Sequence, residues 1–156
     1  MIKKSFDLNN LKLKDNNFFL FYGKNEGFKD QIIEEKFKKN YTDNIYQYDE
    51  NEIINNEENF FNNILSKSFF ENEKLIIINR ATDKISNIVE ELIEKDVEDL
   101  VLILNSSILE KKSKIRSLFE KSKETVCVAF YEDNSQTLST IVNNFFRTSK
   151  VSISQQ

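Results

Sequence analysis

Four unbroken apolar runs of strand length limit what this chain can fold into: Phe18 to Tyr22, Leu75 to Ile78, Leu100 to Leu104 and Val126 to Phe130. A strand with one wet face alternates apolar and polar side chains, so an unbroken run reads as a strand buried on both faces, the hallmark of a parallel sheet with helices above and below. The segments between the runs supply such helices. Phe28, Ile32, Ile33 and Phe37 recur at helical spacing, as do Phe60, Phe61, Ile64 and Leu65 after the acidic pair Glu57-Glu58. Ile85, Ile88, Val89, Leu92 and Ile93 form a third set, Ile115 to Lys121 a short fourth helix, and from about Ser135 a last helix is expected to turn Leu138, Ile141, Val142, Phe145 and Phe146 inward. Asn44 to Tyr48 alternates and adds one more strand. The expected fold is α/β: three layers, α/β/α, around a five-stranded, mostly parallel sheet.

With 156 residues, 39% hydrophobic and 31% charged, the chain suits one folded domain plus a fragment. No linker interrupts residues 1–135, which form the expected domain; residues 136–156 are expected to begin a second, helical one. A helix-start signal at Ser152 or Ser154 comes too late for its helix, so the natural chain is expected to continue. A net charge of −4 argues against a protein whose main affinity comes from neutralising phosphates. The chain has no histidine and a single cysteine, Cys127, which excludes an intrachain disulfide, the usual zinc sets and histidine acid/base catalysis. Met1 to Asp7 lacks the apolar stretch of a signal peptide and no run is long enough to span a membrane, so a cytoplasmic protein without membrane contact is expected.

In an open α/β sheet, ligands bind beyond the carboxyl ends of the strands, and the first strand-to-helix turn is the usual phosphate cradle. Here that turn is Gly23-Lys24-Asn25-Glu26-Gly27, followed by Phe28-Lys29-Asp30. A working P-loop, G-x-x-x-x-G-K-[ST], needs a lysine for the terminal phosphates and a hydroxyl for magnesium. Asp30 stands where the hydroxyl is needed, and Glu26 adds negative charge beside any phosphate. The turn therefore reads as degenerate, with no ATP hydrolysis and no cofactor expected; its glycines serve either tight turning and packing or a residual anion site. Cys127, between Val126 and Val128, reads as a core thiol.

The run Phe18 to Gly27 resembles the opening strand and turn of the delta subunit of bacterial DNA polymerase III, whose first domain is AAA+-like without its nucleotide machinery. Leu109-Glu110-Lys111-Lys112-Ser113-Lys114-Ile115-Arg116-Ser117-Leu118-Phe119-Glu120 is similar to the L-x-x-x-S-K-L-R-x-L-F-E stretch of its alphaproteobacterial members, and Tyr131-Glu132-Asp133 to the Y-E-D segment leading into its second domain. The resemblance implies a clamp-loader subunit without catalysis of its own, part of a DNA-directed DNA polymerase holoenzyme only by membership. Its implied partners are the beta sliding clamp, the gamma/tau and delta-prime subunits and, through the assembled complex, primer-template DNA.

The resemblance also maps the clamp-inserting element onto Ser68-Phe69-Phe70, two adjacent aromatic anchors outside the helical set of Phe61, Ile64 and Leu65. Leu65 stands where some family members carry a glutamine, and reads instead as core. Lys111, Lys112, Lys114 and Arg116, with Lys121 and Lys123, form a basic cluster that either touches DNA or solvates a helix face. Two rivals remain: a nucleotide-binding ATPase or regulator using the turn, and the delta-prime subunit, whose usual zinc cysteines this chain lacks.

Overall fold

The computed structural model describes residues 2–4, 17–41, 44–65, 73–95, 97 and 99–150. The expected clamp element Ser68-Phe69-Phe70 and the helix-start serines Ser152 and Ser154 lie outside the described residues. The four apolar runs are strands β2 (Phe18–Gly23), β4 (Lys74–Asn79), β5 (Leu100–Ser106) and β6 (Thr125–Phe130), and the alternating run is β3 (Ile45–Asp49). A sixth, β1 (Ile2–Lys4), which the sequence pattern did not reveal, pairs along β6 at one edge. Every pairing is parallel, and the order across the sheet is β1-β6-β2-β5-β4-β3.

That order fixes which helix covers which face. From β2 the chain crosses to the far edge strand β3, then works back through β4 and β5 and past β2 to β6. Because β-to-β crossovers are right-handed, a reversal of direction along the sheet puts the connecting helices on opposite faces. Accordingly α1 (Glu26–Ile32) packs Ile32 on one face beside Phe19, Phe21, Ile77, Ile103 and Val128. The opposite face, with Leu20, Ile76, Leu102 and Leu104, is covered by α2 (Glu50–Asn55), α3 (Glu57–Leu65), α4 (Ser86–Glu94) and α5 (Lys114–Lys121). Alternate side chains of β2, β4, β5 and β6 feed the two cores, which is why unbroken apolar runs were needed.

The first helix widens after Ile32 into a π turn (Ile33–Phe37) and closes in a 3-10 turn (Lys38–Asn40). The wider turn sets Phe37 edge-on against Phe19 and Phe21, at ring separations of 4.9 and 5.7 Å. On the other face the loops are tied by acidic side chains. Buried Glu50 accepts from the Thr82 amide (2.6 Å) and hydroxyl. Asp83 accepts from Ser113 Oγ (2.6 Å) and the Ile115 amide (3.1 Å), which meets orphan donors at the start of α5. Arg80 and Asp99 take left-handed backbone at the turns that leave β4 and enter β5.

Two expectations are corrected. The last helix, α6 (Ser135–Ser149), does not turn its stripe inward: Leu138, Ile141, Val142 and Phe145 are 50%, 54%, 45% and 63% exposed, and Phe146 is half-buried. A crossover helix is drawn onto the sheet by the strand that follows it, and among the described residues no strand follows α6. Leu65 is likewise not core. It is 41% exposed at the end of α3, while Phe60 and Ile64 are buried and Phe61 packs partly against them.

Asp83 carries a pH signature. Desolvation pushes its carboxyl up, but the hydrogen bonds from Ser113, Ile115 and Lys114 outweigh this and hold it below the usual aspartate value. A depressed carboxyl contributes stability above its unfolded value of about 3.9 and loses that contribution as pH falls through the folded value. Asp83→Ala should cost about 1 kcal/mol near neutral pH, a typical capping loss, and the gap from the unaltered chain should close below about pH 4 in urea melts across pH.

Candidate functional site: a phosphate turn closed on itself

Strand β2 lies between β5 and β6, and its turn leads to the face opposite the one reached from β5. The crevice between diverging loops is where open α/β sheets bind ligands. The turn Gly23–Gly27 lies in this place, and several donors of the turn and of the first helical turn are met from within the protein. Gly23 N donates to Ser107 O (3.0 Å), Asn25 N to Phe130 O (3.4 Å), Glu26 N to Lys24 O (2.9 Å) and Lys29 N to Asn25 O (3.1 Å). Phe28 N donates to Asn25 Oδ1 (3.2 Å), so Asn25 is the N-cap of α1. These are among the amides of the turn and first helical turn that a phosphate cradle would use.

Lys29 is turned away from solvent. It is fully buried, and its Nζ donates to Ser106 O at the end of β5 (2.5 Å) and pairs with Glu26 Oε1 (2.9 Å). Glu26, an unwelcome charge beside a phosphate in the sequence reading, is the counter-ion of this lysine. Gly27 has open space where a side chain would stand, whereas Gly23 is needed twice. Its φ is +127°, and a Cβ there would lie 2.1 Å from Phe130 O. The backbones of β2 and β6 therefore meet closely at the mouth of the crevice. Lys24 and Asn25 reach further along the chain that leaves β6: Lys24 pairs with Glu132 (3.3 Å), and Asn25 Nδ2 donates to Tyr131 O (3.2 Å) and Asp133 Oδ2 (2.9 Å).

Beside the turn a groove of about 290 Å³ runs between Ile108-Leu109 and Tyr131-Glu132 over Tyr22. Arg116 forms one wall, 4.9 Å from the centre of the Tyr22 ring, and bonds Glu120 (2.8 Å) and Leu109 O (3.2 Å). The bond to Glu120 raises the guanidinium pKa further, and burial, followed by Cys127, raises that of the Tyr22 phenol. Burial also pushes the Cys127 thiol up to about 12, so it stays protonated at ordinary pH and is a poor nucleophile.

The residues read as a possible DNA contact are divided. Lys111, Lys112 and Lys114 are exposed, with Lys112 paired to Glu110 (3.0 Å), while Arg116 is half-buried and held by Glu120. Much of the string Leu109 to Glu120 has internal work: Ser113 caps α5, and Ile115 and Phe119 are fully buried. Sequence reasoning missed the roles of Lys29 and Asn25. The capping asparagine, three residues ahead of Phe28, was the one legible signal; nothing in the pattern announces a lysine turned inward.

Fold and site together define a three-layer α/β domain of parallel strands, with a phosphate-type turn filled by its own side chains. A family model described as DNA polymerase III, delta subunit, matches residues 19–132, from β2 to just past β6. The chain belongs to the DNA polymerase III delta subunit family. No curated protein matches it in a sequence search.

Gly23→Ala forces a side chain into both a strained backbone and an occupied space. It should destabilise the fold by at least about 2 kcal/mol in denaturant melts, whereas Gly27→Ala should leave stability the same or slightly higher.

Proposed function

We propose that this delta-family chain binds the beta sliding clamp and helps hold it open for loading onto primed DNA, without catalysis of its own. The observation that carries the proposal is the combination of family membership across β2 to β6 with a turn whose lysine and amides are committed internally. A subunit of this kind acts by binding in the cytoplasm, beside gamma/tau and delta-prime, and leaves nucleotide hydrolysis to partner subunits. Ser68, Phe69 and Phe70 are the clamp contact, with the two phenyl rings entering an apolar pocket of the clamp.

Two features of the flanking residues support this placement. Leu65, exposed at the end of α3, adds apolar surface immediately ahead of the element. The end of α3 is fastened to the start of β4 by Lys74 Nζ, which donates to Asn63 O (3.2 Å), so the described residues on either side of the element are held together. β4 begins at the amino ends of the strands, opposite the closed turn at their carboxyl ends.

A protein favours an open ring only by binding it better than the closed one. Residues beyond the phenylalanine pair supply that discrimination. Exposed Lys111, Lys112 and Lys114 are the residues of the basic cluster suited to primer-template DNA in the assembled complex, and Arg116 serves the fold. The helix α6 is the first helix of a second domain beginning near residue 136, with its apolar stripe facing the rest of that domain.

The test is a pull-down of the cognate clamp. Phe69→Ala/Phe70→Ala should reduce clamp capture at least a hundredfold, as expected for removal of two aromatic anchors, with an unchanged melting temperature. Undiminished capture by the folded double variant would refute the assignment.

A further inference from the structure

Helix α6 fully buries none of its side chains, and only Phe146 is half-buried, so packing against the sheet does little to set its direction. What sets it is the short segment between Phe130, the last residue of β6, and the first turn of the helix. Each of the three residues after Phe130 is contacted by the turn that follows β2. Tyr131 O accepts from Asn25 Nδ2 (3.2 Å), Glu132 pairs with Lys24 (3.3 Å), and Asp133 Oδ2 accepts from Asn25 Nδ2 (2.9 Å). The next residue, Asn134, belongs to the helix: its Oδ1 accepts from Thr137 N, and its own amide donates to Thr137 Oγ1, both at 2.9 Å. Each residue between strand and helix thus has a partner in the turn or in the helix.

We infer that the closed turn is a buckle, with Asn25 as the positioning residue that fixes the direction in which α6 leaves the domain. Asn25 suits the task because one amide carries both an acceptor and donors. Its Oδ1 accepts from Phe28 N at the start of α1, which orients the side chain so that Nδ2 faces Tyr131 and Asp133. Its backbone is held too, by the Asn25 N to Phe130 O bond and by the close approach of Gly23 to Phe130 O. The Lys24–Glu132 pair is more than half exposed and adds little. A turn of the kind that elsewhere cradles phosphate thereby holds the protein's own carboxylate, Asp133, and transmits the position of β2 to whatever α6 carries. This inference is independent of the clamp contact at Phe69 and Phe70.

The experiment measures the distance between nitroxide labels on cysteines introduced by Ser139→Cys on α6 and Glu94→Cys on α4, both exposed, in the full chain; the native Cys127 is buried and takes no label. The chain with an intact turn should give one narrow distance distribution. Asn25→Asp keeps the acceptor for Phe28 N but removes the donor and faces Asp133 with a second carboxylate, so the distribution should widen at least twofold. Asn25→Asp/Asp133→Asn exchanges donor and acceptor and should narrow it again. An unchanged distribution in Asn25→Asp, a broad one with the turn intact, or a widening that the exchange does not reverse would overturn the inference.

Discussion

Taking an ammonium wholly out of water costs several kcal/mol unless its donors are met, and the buried Lys29 ammonium is met at both ends of a single tie. Ser106 O, on β5, accepts at 2.5 Å, and Glu26, on the same helix as Lys29, supplies the counter-charge at 2.9 Å. The tie spans the crevice created where the loops after β2 and β5 diverge. A phosphate seated there would have to draw Lys29 off Ser106 and take over amides that now bond Ser107, Phe130, Lys24 and Asn25. Of these partners Ser106 and Phe130 are buried, and leaving each unmet costs about 1–3 kcal/mol. Against those losses, one exposed lysine, Lys24, already paired with Glu132, offers little in return.

This closure explains how a fold suited to binding phosphate serves another end. The strand order places the turn centrally, where it touches the segment leaving the last strand. In the delta-family chain the turn thus joins parts of the protein to one another, on a sheet of parallel strands buried on both faces.

The sheet was legible because burial on both faces writes itself into sequence as unbroken apolar runs, and β2, β4, β5 and β6 were found within a residue or two. Strand β1 was not, since three residues carry no period, and α2 was hidden in the acidic stretch Glu50 to Asn55. The stripe of α6 showed a helix correctly but not its partner: periodicity tells which face is apolar, not what covers it. At the turn, departures from the P-loop pattern at Phe28 and Asp30 were readable. That Lys29 folds inward was not, because lysines are rarely fully buried and no spacing rule marks the exception.

The central claim is that the protein's own lysine and amides keep the first turn from holding phosphate. Calorimetric titration of the chain with ATP and magnesium measures this most directly. The account predicts no saturable heat up to millimolar nucleotide; saturable binding in the micromolar range, or release of inorganic phosphate in the same sample, would contradict it.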